Sequence, residues 1–208
     1  MIKFARPSVD KKVIFKIKKI IDKGVFVHGD FTEKFEKQLT KYFNLKNNFL
    51  LSTASCTASL HLYYMSIGLK KNDEVLMSAQ THVATAHAVE ACGAKPIFID
   101  CELKTGNIDI EQINKKINKK TKCICVTHFL GKPADMLKIN KIAKKNNLKV
   151  IEDTALSIGS KIGNKFSGTF GDAGAFSFHP VKIITTGEGG AIILKNRNEF
   201  ELVKSMKS

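Results

Sequence analysis

Short apolar runs alternate with amphipathic stretches from residue 48 onward, and their order predicts the elements of the fold. "NFLLS" (48–52), "DEVLMS" (73–78), "KPIFID" (95–100), "KCICVTHF" (122–129) and "LKVIEDTA" (148–155) read as buried strands. Between them, "SCTASLHLYYMSIGL" (55–69), "VATAHAVEAC" (83–92), "DIEQINKKI" (109–117) and "ADMLKINKIAKKN" (134–146) read as helices. An earlier helix is predicted over "GDFTEKFEKQLTKYFNL" (29–45), where Phe31, Phe35, Leu39 and Phe43 share one face. Asp30 is its expected cap, with Glu33 three residues on. The residues before it read as irregular. Strands alternating with helices in this way imply βαβ units. The expected fold is therefore α/β, with a mainly parallel sheet sandwiched between two helical layers.

After residue 155 the rhythm changes. "SIGSKIGNKFSGTFGDAG" (157–174) is rich in Gly and Ser and reads as a loop, followed directly by strand-like "AFSFH" and "GAIIL". The final "NEFELVKSMKS" reads as the opening turns of a helix. No repeat or low-complexity tail divides residues 1–208, which are expected to form one domain.

Composition narrows the function. A hydrophobic content of 43% is ordinary for a globular chain. No apolar run approaches the ~20 residues of a membrane span, and the N-terminus lacks the apolar core of a secretory signal. A cytoplasmic protein with no membrane partner is expected. The cysteines Cys56, Cys92, Cys101, Cys123 and Cys125 show no paired CxxC spacing, so neither a disulfide framework nor a metal site is expected. The formal charge of +15 suggests a polyanion partner, but the positive charge is nearly all lysine, spread along solvated helix faces. Arg6 and Arg197 are the sole arginines, whereas nucleic-acid recognition leans on arginine forks, so no nucleic-acid partner is expected.

In a parallel α/β sheet, ligands gather at the carboxyl ends of strands and the amino ends of the helices that follow. Four segments fall there. "SCTAS" (55–59) is a strand-to-helix junction whose small residues leave backbone N–H groups free, and Ser55 and Thr57 add hydroxyls. It suits a phosphate, and equally an ordinary helix cap. Asp153 ends an apolar strand, where a carboxylate needs either a cationic partner, such as a protonated heterocyclic nitrogen, or a capping role. Lys182 stands between apolar runs in "FSFHPVKIITTGEGGAI" (176–192), placed either to form an imine with a carbonyl or to snorkel to water. His82, in "QTHVAT", offers a flat ring at a helix start, for stacking or for capping. Together, a phosphate cradle, a carboxylate, a stacking group and an imine-forming lysine match the needs of pyridoxal 5′-phosphate (PLP).

With these residues the chain resembles the sugar aminotransferases of the DegT/DnrJ/EryC1/StrS family, which are fold-type I PLP enzymes. The resemblance is carried in order by "GDFTEKFEKQL", the run from "SCTASLHLYY" to "KPIFID", "NID", "THFLGKPADM", "VIEDTALSIGS", "GTFGDAGAFSFHPVK" and "TTGEGGAI". It implies that residues 1–208 form the cofactor-binding large domain and that the smaller C-terminal domain of the family is absent. It implies that Lys182 is the covalent anchor of PLP and later moves a proton, and that Asp153 pairs with the pyridinium nitrogen. Cys56, Thr57 and Ser177 would bind the phosphate, His82 would stack on the ring, and Glu188 lies in the signature turn. The implied reaction converts a nucleotide-linked keto-sugar to an amino-sugar for polysaccharide or surface-sugar synthesis. Glutamate is the expected amino donor and a homodimer with shared sites the expected assembly.

The chain departs from the family pattern at Cys56, commonly Gly, at Leu156, commonly Gln or His, and at His179, commonly Tyr. Two other outcomes fit the resemblance. One is a truncated, non-catalytic PLP-binding remnant. The other is the sugar dehydratase branch, in which histidine replaces the lysine, and the presence of Lys182 argues against it.

Overall fold

A computed structural model of the chain describes residues 9–26, 28–47 and 49–207. Asn48, at the head of the first expected strand, and the extreme N-terminus lie outside them. At the centre is a seven-stranded sheet in the order β1-β9-β8-β5-β4-β2-β3. Its strands are β1 (Leu50–Thr53), β2 (Glu74–Ser78), β3 (Lys95–Ile99), β4 (Thr121–Thr127), β5 (Lys149–Asp153), β8 (Ala173–Ser177) and β9 (Gly190–Leu194). β2 to β5 and β8 run parallel, while β9 is antiparallel to both β8 and β1. β9 apart, the sheet is parallel, as expected.

The helices form the two outer layers. On one face α3 (Cys56–Ser66), α4 (Val83–Glu90) and α7 (Arg197–Met206) bury Leu60, Tyr63, Tyr64, Val89 and Val203 against Val75, Met77, Ile151 and Ile192. On the other, α5 (Ile110–Lys116) and α6 (Met136–Lys145) bury Ile113, Met136 and Ile139 against Leu76, Ile124 and Val126. α2 (Asp30–Tyr42) completes that layer, with Leu39 and Phe43 on Leu50, Phe176 and Ile193. Right-handed crossovers produce this division. The connection β2-α4-β3 runs toward one edge and β4-α6-β5 toward the other, so their helices fall on opposite faces. The chain reverses direction between β2 and β4, a switch point of the kind where open α/β sheets bind ligands.

The structure departs from the sequence expectations at three places. Residues expected to be irregular form α1 (Val13–Lys23), which ends on Gly24 in the left-handed region at φ 65°. None of its residues is buried, and Phe15 is 70% exposed. Asp30 is the first residue of α2 rather than its cap; Gly29 holds the cap position without a side chain to offer. The Gly- and Ser-rich loop contains a small antiparallel hairpin, β6 (Lys161–Ile162) and β7 (Lys165–Phe166), which turns through Gly163 at φ 58°. Phe166 of the hairpin packs against Tyr42 and Phe43 at ring separations of 5.0 and 5.5 Å.

What holds that loop to the sheet is Glu152 of β5. Its Oε1 accepts the N–H groups of Phe170 (2.6 Å) and Gly171 (2.7 Å), and its Oε2 accepts Gly168 N–H (2.8 Å) and His128 Nε2 (2.9 Å). His128 Nδ1 accepts the Ala134 N–H at 3.1 Å, which leaves Nε2 as the donor to Glu152. Both side chains are fully buried, and every acceptor direction of the carboxylate is used. The loop lies so close to the sheet that a Cβ on Gly174 would stand 2.1 Å from the Gly168 carbonyl oxygen.

Two stability outcomes follow from these carboxylates. Glu152→Ala strands three backbone donors and His128 in the interior, and a loss of about 3–5 kcal/mol is expected in urea unfolding. Glu36 of α2 accepts the Ser52 N–H (2.7 Å), the Ser52 hydroxyl (2.8 Å) and Lys207 Nζ (3.1 Å). Burial acts to raise its pKa, but these three donors together hold it below the ordinary carboxylate value. Its contribution is therefore present above the unfolded-state pKa and lost as pH falls through the lowered folded value. Glu36→Gln should flatten the rise of stability with pH in that acid window.

Candidate active site

At the carboxyl edge of the sheet, the ends of β1, β5 and β8, the start of β9 and the first turns of α3 and α4 enclose a cleft of about 310 Å³. Ser55, Cys56, Thr57, His82, Asp153, Ser177, Lys182 and Glu188 all line it. Segments separated by more than a hundred residues therefore meet as the sequence predicted. Leu156 is not part of the lining.

The α3 junction is built for an anion. Ser55 caps the helix, its hydroxyl accepting the Ala58 N–H at 3.1 Å, and the first backbone helical bond runs from Ser59 N–H to Ser55 C=O. That leaves the N–H groups of Cys56 and Thr57 in the open first turn, at the positive end of the helix. Gly190 makes the approach of β9 possible. A Cβ there would lie 2.4 Å from the Ser55 carbonyl carbon and 2.7 Å from the Cys56 nitrogen. The same glycine pairs with Thr53 on one side and Ser177 on the other, tying cradle and strand ends into one register.

Asp153 is buried at the floor. Its Oδ1 accepts the Ala155 N–H (3.1 Å) and faces the Cys56 Sγ (3.8 Å), while Oδ2 accepts the Thr85 hydroxyl (2.8 Å). All three are neutral donors, so no positive charge meets this carboxylate through a hydrogen bond. Burial and, after it, the charge of Asp153 push the Cys56 thiol well up, opposed by the charge of Lys182. Cys56 is thus a neutral S–H donor rather than a nucleophile.

Lys182 sits on the β8–β9 connection, which folds back on Phe178. The Thr185 hydroxyl (2.8 Å) and Thr186 N–H (3.1 Å) bond the Phe178 carbonyl, and Phe178 N–H bonds Gly189 C=O (2.9 Å). The Lys182 N–H bonds His179 C=O at 2.9 Å. His179 Nε2 stands 3.6 Å from Glu188 across the rim. His82 caps α4, its Nδ1 accepting the Ala84 N–H at 3.2 Å, and lies exposed on the cleft wall. For Ser55 and His82, the capping reading and the cleft reading are compatible.

The sequence expectation did not include Thr85, the Ala155 N–H or the inward turn of the Cys56 side chain. Thr85 lies in the "QTHVAT" run already singled out for His82, but its spacing to Asp153 is visible only once α4 and β5 are packed. Among the described residues no group of His, Cys, Asp and Glu is arranged to hold a metal ion, and no helix is long and apolar enough to cross a membrane.

The sheet order and the cleft at its carboxyl edge define an α/β fold with an open helix N-terminus, a buried carboxylate and a lysine in one site. The model of the DegT/DnrJ/EryC1/StrS aminotransferase family matches residues 7–208, and the chain belongs to that family. It is 37% identical over 173 residues to GDP-perosamine synthase of Escherichia coli O157:H7, covering 83% of this chain and 47% of that protein. It is 34% identical over 211 residues to UDP-4-amino-4,6-dideoxy-N-acetyl-beta-L-altrosamine transaminase of Campylobacter jejuni, covering 100% of this chain and 55% of that one. Among solved structures, NtdA from Bacillus subtilis with bound cofactor PMP superposes with a TM-score of 0.86 at 32% identity, covering 93% of this chain and 43% of its own. The chain spans about half the length of the curated relatives it matches.

The burial pattern sets the reactivity of the thiols. A soluble thiol reagent should label Cys92 and Cys101, both half-buried, in the folded chain. Cys56, Cys123 and Cys125 should react only after denaturant is added.

Proposed function

We propose that this chain is the cofactor-binding half of a PLP-dependent aminotransferase that passes an amino group to a nucleotide-linked keto-sugar. One observation carries the reading. A single cleft joins Lys182, a carboxylate with an acceptor direction to spare, and the open first turn of a helix. Bound PLP supplies an electron-withdrawing ring that acidifies the Cα proton of an amino-group donor.

The residues of the chain divide the remaining work. The Cys56 and Thr57 N–H groups, with the Thr57 and Ser177 hydroxyls, hold the phosphate at the positive end of α3. Asp153 accepts the ring N–H and keeps that nitrogen protonated. His82 covers one face of the ring. Lys182 would hold the cofactor through Nζ and, when free of it, would take and return the proton at the Cα of the amino-group donor. Leu156, an apolar side chain outside the cleft lining, would offer the ring no hydrogen bond.

The substrate class draws on relatives whose names carry both GDP-linked and UDP-linked sugars. The nucleotide thus differs between these two relatives. Glutamate is the proposed donor. The protein is proposed to act as a homodimer with shared sites, a reading supported by the apolar side of α1, where Ile14, Phe15, Ile17 and Ile21 are exposed. Lys182 disfavours the dehydratase alternative. Because the chain spans about half of its relatives, turnover is assigned to the whole protein and cofactor capture to these residues.

Adding PLP to the purified chain should produce a visible absorption band that Lys182→Ala abolishes and Asp153→Asn weakens. A chain that gives no lysine-dependent band with PLP in excess would refute the assignment.

A further inference from the structure

Beneath the cleft, three threonines from two segments form a line of hydroxyls that ends on Asp153. Thr127 closes β4, Thr81 precedes α4, and Thr85 lies in its first turn. Thr127 Oγ1 and Thr81 Oγ1 are 2.8 Å apart, Thr81 Oγ1 and Thr85 Oγ1 3.0 Å, and Thr85 Oγ1 and Asp153 Oδ2 2.8 Å. Thr85 and Thr127 are buried, and neither Thr81 nor Thr127 lines the cleft.

The direction of the line is fixed by its end. The Thr85 hydroxyl donates to Oδ2 of the carboxylate. Its single proton is then used, and Thr85 accepts from Thr81. Thr81 in turn accepts from Thr127. A chain polarised in one sense strengthens each bond along it, and its last member is a charge-assisted hydrogen bond.

Counting acceptor directions on Asp153 then separates its two oxygens. Oδ1 meets two donors, the Ala155 N–H and the Cys56 thiol. Oδ2 meets one, Thr85, and of the two lone pairs on each oxygen only Oδ2 retains a free one. We propose that Thr85 is a positioning residue that shares Oδ2 of Asp153 with the ring nitrogen of the cofactor, and that Thr81 and Thr127 orient its hydroxyl. Cys56 belongs to the same arrangement from the other side, because its thiol helps occupy Oδ1 and so leaves Oδ2 as the working oxygen. The inference rests on the reading of Asp153 as the partner of that nitrogen, but the hydroxyl line itself can be tested without cofactor.

The test uses the full chain, its Thr85→Val, Thr85→Ser and Thr127→Val variants, and Asp153→Asn to assign the Asp153 carboxyl carbon by NMR. Without PLP, that resonance should move in Thr85→Val, move less in Thr127→Val, and stay near its original position in Thr85→Ser. With PLP, affinity read from the lysine-dependent band should fall roughly tenfold in Thr85→Val and about threefold in Thr127→Val. Thr85→Ser should restore it. Unchanged resonance and affinity in Thr85→Val would overturn the proposal, as would a Thr85→Ser variant no better than Thr85→Val. Should Thr85→Val fail to fold, an Asp153 resonance indifferent to Thr127→Val would overturn it instead. If no form of the chain gives the band, the cofactor reading fails, and the carboxyl resonance alone still decides whether the hydroxyl line acts on Asp153.

Discussion

Two adjacent carboxylates, Glu152 and Asp153, close the carboxyl end of β5 in the interior, and each has to be satisfied on its own face of the sheet. Strand alternation sends them in opposite directions. Glu152 is met by His128 and three backbone N–H groups of the 168–171 loop. Asp153 is met by a hydroxyl, a thiol and one backbone N–H, with acceptor capacity left over. The difference in satisfaction separates their roles. The first carboxylate is saturated and structural; the second is under-satisfied and faces a cleft. Because they share one strand, locking the first also fixes the position of the second.

The other walls of the cleft depend on a different kind of closeness, the contact of backbone with backbone. Gly190 lets β9 run against the Ser55–Cys56 peptide, and Gly174 lets the Glu152-bound loop lie flat on β8. At neither position is there room for a methyl group. Side chains do the chemistry here, but the absence of side chains at two positions brings the supporting strands together.

The sheet and its covering helices were legible in the sequence because buried parallel strands read as apolar runs and their crossover helices show the helical period. Asp153, Cys56, Thr57 and His82 stood out because each falls at a strand end or helix start, where this architecture places ligands, whereas Ser177 came from the family resemblance and Lys182 from its place between apolar runs. α1 was not anticipated, and among the described residues Ile14, Phe15, Ile17 and Ile21 of that helix stay exposed instead of entering the core. The β6–β7 hairpin escaped because two-residue strands leave no periodicity to detect. Thr85, Thr81 and Thr127 were invisible as a group, since their meeting depends on how α4, β4 and β5 are stacked. The pairing of Glu152 with His128 and a glycine-rich loop is of the same kind.

β1 is the first strand of the sheet to be synthesised yet has a single neighbour there, β9, with Leu50 opposite Ile193 and Thr53 opposite Gly190. The edge that carries the α3 cradle therefore cannot be stitched in until residues 190–193 have emerged. Such distant pairing makes assembly slow, because the entropy of closing a long loop is lost before any contact repays it. The cradle thus takes its final shape later than the strands β2 to β5, and a nascent chain halted before residue 190 would leave β1 with an unpaired edge, exposed to other chains.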